Sequence, residues 1–285
     1  MSTHHVDRRA FLISTGALAA LPWTSSVALG GTQSNNGPRP ERLRIGIASY
    51  SLRKFPLPKA LAMARAANVR YMTFKDVHIP RTDPPETIRA NRALIEAAGI
   101  TIMGGGTIEM KNDQAQIRRD FEYAKHAGFP MIYAKPDPAA LDFIEQLVKE
   151  FDLRFLIHNH GPEDQWYPAP QDAYRHLRTR DKRMGLCVDI GHTIRTGTDP
   201  VEAILTHSDR VYDLHVKDLK DPKDKDSQVE VGRGVLDIPA LVRALLKIRY
   251  VGQVGLEYEI HENDPLVGII ESLAYLRGVL AATTT

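Results

Sequence analysis

The stretch FLIHNHGPE, residues 155–163, ends an apolar run with two histidines bracketing an asparagine. Imidazoles so placed could ligate a divalent cation, shuttle protons near neutral pH, or simply close a turn after a buried strand. Other apolar runs in the chain end in a similar way. In order, the run ends carry Tyr50, Lys75, Glu109, Lys135, His158 with His160, Asp189, His215 with Lys217, and Glu257 with Glu259. Histidine, aspartate and glutamate without thiolate suit a cation with oxygen and nitrogen ligands, such as Mn²⁺, Mg²⁺, Co²⁺ or Zn²⁺. A lone histidine there is more often a turn residue; Asp189 could merely cap a helix, and Glu257 could merely pair with a lysine. That bland explanation is poorer for four successive run ends that each carry a ligand-competent group.

Something must bring those ends together. From Leu43 onward, apolar runs over 43–50, 69–74, 100–106, 131–135, 154–159, 184–190, 211–216 and 252–258 read as strands. Amphipathic segments over 58–68, 84–99, 113–128, 137–150, 200–208, 238–248 and 265–281 read as helices, with 171–177 the weakest. Several start at Asp or Pro and stop at Gly or Asn, as helix caps require. The alternation predicts a parallel sheet closed into a (β/α)8 TIM barrel, a single domain over 41–282, with its site where the C-terminal strand ends meet. Period-two alternation puts Asp213, His215 and Lys217 on one face and Tyr212, Leu214 and Val216 on the other. Asp213 either orients His215 or fills an interior layer. The charged, glycine-ended stretch KDLKDPKDKDSQVEVGRG after the seventh run is a candidate lid. No G-x-G-x-x-G follows the first run, which weighs against a dinucleotide site.

Composition narrows the partners. A net charge of +2 gives no electrostatic case for nucleic acid or an anionic membrane. The only cysteine, Cys187, excludes an internal disulfide and a thiolate metal cluster. Residues 1–28 set Arg8-Arg9 ahead of an apolar segment from Phe11 to Leu21, followed by Ser26-Val27-Ala28. They resemble a twin-arginine export signal, with an amphipathic tail or membrane anchor as the alternative. Residues 29–40 read as a flexible linker. The expectation is a periplasmic or secreted protein with no stable membrane span after signal cleavage; a homo-oligomer is left open.

The motifs GLCVDIGHTIRTG, DLHVKD and GLEYE resemble the late-strand motifs of the xylose isomerase-like TIM-barrel superfamily. That superfamily includes sugar isomerases and epimerases, inosose dehydratases and endonuclease IV-type enzymes. The resemblance covers residues 43–281 and implies one divalent cation, Mn²⁺ first among candidates, held by Asp189, His215, Glu257 and a group ending the fifth strand. Epimerase relatives usually carry a glutamate there, whereas this chain has His158. In those epimerases two metal-bound glutamates face opposite sides of the sugar, one removing a proton and the other returning one. His158 breaks that symmetric pair. Glu257 remains as a base and His160 as a proton-shuttling imidazole, although the two histidines could exchange roles. Lys217 joins this catalytic set, and Lys75, Glu109, Lys135 and His192 are expected to contact substrate.

The expected function is therefore proton abstraction α to a carbonyl on a non-phosphorylated sugar, by a metal-dependent isomerase or epimerase-like enzyme. Export and the lack of a Gly-rich phosphate cradle disfavour sugar phosphates. The unlike acid and base fit elimination or hydration at least as well, as in superfamily members that act on 3-keto-glycosides by lyase or hydrolase chemistry. A periplasmic sugar-binding protein is the non-enzymatic alternative. An endonuclease IV-type activity is disfavoured, because the expected Asp-x-His is absent after the seventh run.

Overall fold

The computed structural model describes residues 42–283; the signal expected over 1–28 and the linker over 29–40 lie outside the described residues. Eight parallel strands form a closed barrel: Arg44–Ala48, Tyr71–Phe74, Thr101–Met110, Met131–Pro136, Arg154–His158, Met184–Asp189, Val211–Val216 and Gln253–Leu256. Closure is explicit in the register, since Ile47 of the first strand pairs with Met72 of the second and with Leu256 of the eighth. Strands buried on both faces cannot alternate cleanly between polar and apolar, and all six residues of Met184–Asp189 are buried. The helices supply the outer layer. Leu141–Phe151 buries Leu141, Ile144, Leu147 and Val148, a helical stripe set against the sheet. Asp113, Asp199 and Asp237 cap their helices by accepting backbone N–H groups, as expected of helix starts. Inside the barrel, Met131, Tyr133, Leu156 and Cys187 form a separate packed layer beneath the mouth. Among the described residues no helix is long and apolar enough to cross a membrane.

Four details depart from the sequence expectation. The first strand stops at Ala48, and Tyr50 lies in a 3-10 turn over Ser49–Leu52. Serines hold that turn: Ser49 Oγ accepts the Lys75 N–H and Ser51 Oγ the Tyr258 N–H. The third strand runs on through the glycines to Met110, with a register shift between Gly105 and Ile108. Its glycines are needed for close approach, because a Cβ on Gly106 would sit 2.1 Å from the Tyr133 carbonyl oxygen. After the sixth strand come two short helices, Ile190–Arg195 and Pro200–Thr206, rather than one. The fourth departure concerns the candidate lid, which is anchored at its base. Asp218–Leu219 pairs antiparallel with Gln228–Val229, and the Asp218 carboxylate accepts N–H groups from Leu219, Gly232, Gly234 and Leu236.

Candidate metal centre and active site

The ends of the fifth to eighth strands deliver His158, Asp189, His215 and Glu257 to one point. One ligand-competent atom from each lies within 4.8 Å of all the others. His158 Nε2 is 2.9 Å from His215 Nδ1, His215 Nδ1 is 3.4 Å from Glu257 Oε1, and His158 Nε2 is 3.8 Å from Asp189 Oδ2. Atoms sharing one ion through bonds of about 2.1 Å stand about 3.0–3.4 Å apart. Asp189 does cap the next helix, since its Oδ1 accepts the His192 N–H at 2.8 Å. The cap leaves the other oxygen available: Oδ2 is buried and makes no well-aligned hydrogen bond. A carboxylate oxygen without an aligned hydrogen bond, among converging imidazoles and approached only by the Lys217 ammonium and histidine nitrogens, fits a cation. Cys187 also brings its sulfur near His158 and His215. Burial pushes its thiol well above the ordinary value, helped by Asp213 and Asp189, so it stays protonated and is a poor ligand.

Lys217 completes the centre. Its ammonium is 3.2 Å from Asp189 Oδ2 and 2.9 Å from Glu257 Oε2, and it also donates to Glu259. Gly191 makes room for its stem, because a Cβ there would meet Lys217 Cγ at 2.2 Å. Burial alone would lower the lysine pKa, but Asp189, Glu257 and Glu259 outweigh it and hold the group well above its ordinary value. Burial would likewise raise Glu257, but Lys217 and His215 hold it well below the usual carboxylate range. Burial drives His158 well below 6.5, reinforced by His160 and His215, so this imidazole is neutral. His192 is lowered to about 4, chiefly by burial.

The remaining predicted residues divide between two regions. His160 falls outside the four-atom cluster, with its ring 4.5 Å from that of His158. It has left the strand ladder, donating its N–H to the Tyr167 carbonyl. Together with His192 and Lys217 it lines a cavity of about 520 Å³, walled on one side by Leu219, Lys225 and Gln228 of the anchored loop. Lys135 and Glu109 lie across the mouth, paired in register on neighbouring strands. Lys75, at the end of the second strand, has its ammonium 3.4 Å from the Thr107 carbonyl and 5.2 Å from the centre of the Tyr50 ring. Asp213 is an interior-layer residue: it accepts hydrogen bonds from the Tyr133 hydroxyl and the Leu214 N–H, and burial raises it to about 7.

Sequence reasoning missed three residues that organise this site. Asp164 is fully buried, with Oδ2 3.4 Å from His160 Nδ1 and 3.2 Å from Lys135 Nζ. Its other oxygen accepts the N–H groups of Trp166 and Tyr167. Burial opposes its ionisation, yet His160, those two N–H groups and Lys135 together hold it well below the usual range. Asn159, between the two histidines, accepts the Asp189 N–H and donates to the Asp189 carbonyl, stitching the fifth strand to the sixth. Gln228, from the charged loop, donates to the Glu257 carbonyl and accepts the Glu259 N–H. Only Asp164 left a signal in sequence, as an Asx-turn residue four positions after His160.

A family model described as xylose isomerase-like TIM barrel matches residues 61–279. The chain belongs to that family. The rhizopine catabolism protein MocC of Rhizobium meliloti is 26% identical over 138 residues, covering 43% of this chain. The match spans only 42% of that relative. Among solved structures, the 3-keto-D-glucoside 4-epimerase YcjR of E. coli superposes with a TM-score of 0.68 at 18% identity, over 83% of this chain and 99% of that one. An L-ribulose 3-epimerase superposes with a TM-score of 0.69 at 14% identity, over 84% and 95% of the two chains. At these identities the family likeness in structure concerns the fold.

Proposed function

We propose that this family member is a divalent-metal-dependent enzyme that abstracts a proton α to the carbonyl of a non-phosphorylated sugar or sugar derivative, in the manner of an isomerase or epimerase. The convergence of His158, Asp189, His215 and Glu257 within 4.8 Å carries the reading. These four residues would hold the cation, with Mn²⁺ the preferred ion. A bound cation supplies Lewis-acid polarisation of the substrate carbonyl. Glu257, kept ionised by Lys217 and His215, accepts a proton from carbon. His160 presents one ring nitrogen to Asp164, which leaves the other to exchange protons with the substrate. Lys217 bridges Glu257 and Glu259, offsetting the repulsion between the two carboxylates, and donates to developing negative charge. His192, Lys135, Glu109 and Lys75 are assigned to substrate hydroxyls. Epimerase-like neighbours such as YcjR support a carbohydrate substrate.

A second reading is favoured by one observation. His158 is buried and neutral where a symmetric epimerase needs a second carboxylate base. An unlike acid and base suit β-elimination or hydrolysis of a 3-keto-glycoside. Proton NMR in D₂O with the Mn²⁺-loaded protein separates these outcomes. Inverted configuration with solvent deuterium indicates an epimerase, carbonyl migration an isomerase, and aglycone release a lyase or hydrolase. Binding without any C–H exchange, at full metal occupancy, would leave a sugar-binding protein and overturn the enzymatic proposal. We also propose export through the twin-arginine route; Arg8→Lys with Arg9→Lys is expected to keep the protein inside the cell, read by fractionation.

A further inference from the structure

The mouth of the barrel extends well beyond the cavity over Lys217 and His192. Glu109 and Lys111 line both a groove of about 960 Å³, reaching towards Arg81, and a smaller recess of about 180 Å³ that touches Lys135 and Trp166. Lys135 and His160 both approach Asp164 Oδ2, and His160 lines the metal-side cavity. The metal-side cavity and the recess therefore meet across a single buried carboxylate. The metal-side cavity alone, at about 520 Å³, already lies within the size range of small-molecule sites. The recess is thus additional space, and its walls have a distinct chemistry.

Trp166 carries that distinction. Its indole is 43% exposed at the rim of the recess. The main chain that carries it is held in place, because the Trp166 backbone N–H donates to Asp164 Oδ1 at 2.8 Å. Beside it stand a carboxylate, an ammonium and an amide, from Glu109, Lys135 and Gln165. A sugar ring offers a face of C–H groups that packs on an aromatic plane and a rim of hydroxyls that bonds to such polar groups. We propose that Trp166, Gln165, Glu109 and Lys135 form a subsite for a second sugar ring, so that the natural substrate is a glycoside of at least two rings. The ring bearing the carbonyl lies over Lys217 and His192, and its neighbour packs on Trp166. This assignment rests on the carbohydrate reading of the metal centre.

The chain has two tryptophans, so a Trp23→Phe background leaves Trp166 as the sole indole. In that background the Mn²⁺-loaded full chain is titrated with cellobiose, maltose and lactulose, and with glucose and fructose as single-ring controls. At least one disaccharide is expected to shift Trp166 emission saturably, at concentrations where neither single ring does. Trp166→Ala should then raise the Kd of that disaccharide about tenfold by calorimetry, with an unchanged circular dichroism spectrum. Equal affinity for one and two rings, no disaccharide binding, or an unchanged Kd in Trp166→Ala each overturns the subsite. Selective disaccharide binding without C–H exchange in D₂O would instead overturn the enzymatic reading and leave the subsite standing.

Discussion

The two halves of the barrel mouth solve different problems. The ends of the fifth to eighth strands bury their ionisable groups: His158, Asp189, His215 and Lys217 are all nearly inaccessible, and Asp189 approaches both His158 and Lys217. The ends of the second to fourth strands hold Lys75, Glu109 and Lys135 at or near the surface, with Glu109 on a wide groove and Lys135 on the recess beside it. Buried charge persists only where opposite charge offsets the loss of solvation, so the late half is costly and sharply defined. Exposed charge is cheap and adaptable. On the proposed function, chemistry belongs to the late half and recognition to the early one, and substitutions in the two halves should fail in different ways.

The largest separation is expected from Asp189→Asn. It neutralises the carboxylate shared by the proposed ligand set, Lys217 and the helix cap. Carbon–hydrogen exchange on a responsive sugar should fall about 10³-fold, as for loss of a group that stabilises developing charge. Any rise in Tm on adding Mn²⁺ should vanish with it. Lys217→Met tests the electrostatics without touching the four proposed ligands. It leaves Asp189, Glu257 and Glu259 without their common cation, and the metal-free protein should lose about 3–5 kcal/mol by urea unfolding. Mn²⁺ should restore part of that loss, because a divalent ion can take over the neutralising role. If metal restores nothing, ammonium and ion are not electrostatic substitutes, and the account of the late half is wrong.

In the unaltered protein, Mn²⁺ at about one hundred times its Kd should stabilise by about 2.7 kcal/mol, a Tm rise of about 5–10 °C. Glu109→Gln should show the same rise, since Glu109 lies across the mouth from the cluster. Asp164 stands between the halves. Asp164→Ala removes the carboxylate that faces both His160 and Lys135 and should lower kcat about tenfold to a hundredfold, with metal stabilisation retained. An unchanged kcat would leave Asp164 as a turn residue for Trp166 and Tyr167 alone.

Much of the late half was legible in sequence because a strand writes its face with a period of two. His215 and Lys217 follow Asp213 on one face, and the barrel turns that face inward. The eight-strand alternation survived for a similar reason, since apolar runs and capped amphipathic segments each carry a local signal. What stayed hidden depends on contacts between segments distant in sequence. Nothing in HGPED fixes Asp164 against Lys135, which lies on the preceding strand, and nothing in the charged loop shows that Gln228 reaches Glu257. The glycines of the third strand misled for a physical reason. They read as a terminus, yet they permit close passage along Tyr133, so the strand continues past them.

The smallest expected effect comes from Lys75→Ala, and it sharpens the comparison because so little holds that side chain. Its ammonium meets one carbonyl at 3.4 Å and the face of Tyr50, while the late-half lysine meets three carboxylates. Removing a half-buried group with so few contacts should change stability by no more than about 0.5 kcal/mol. If Lys75 serves recognition, its loss should raise KM by less than about tenfold and leave kcat unchanged, because the same contact would be made in ground and transition states. Steady-state kinetics on a responsive sugar separates the two constants. A fall in kcat comparable to that of Asp189→Asn would mean that the early half takes part in the chemical step, and the division of labour across the mouth would have to be abandoned.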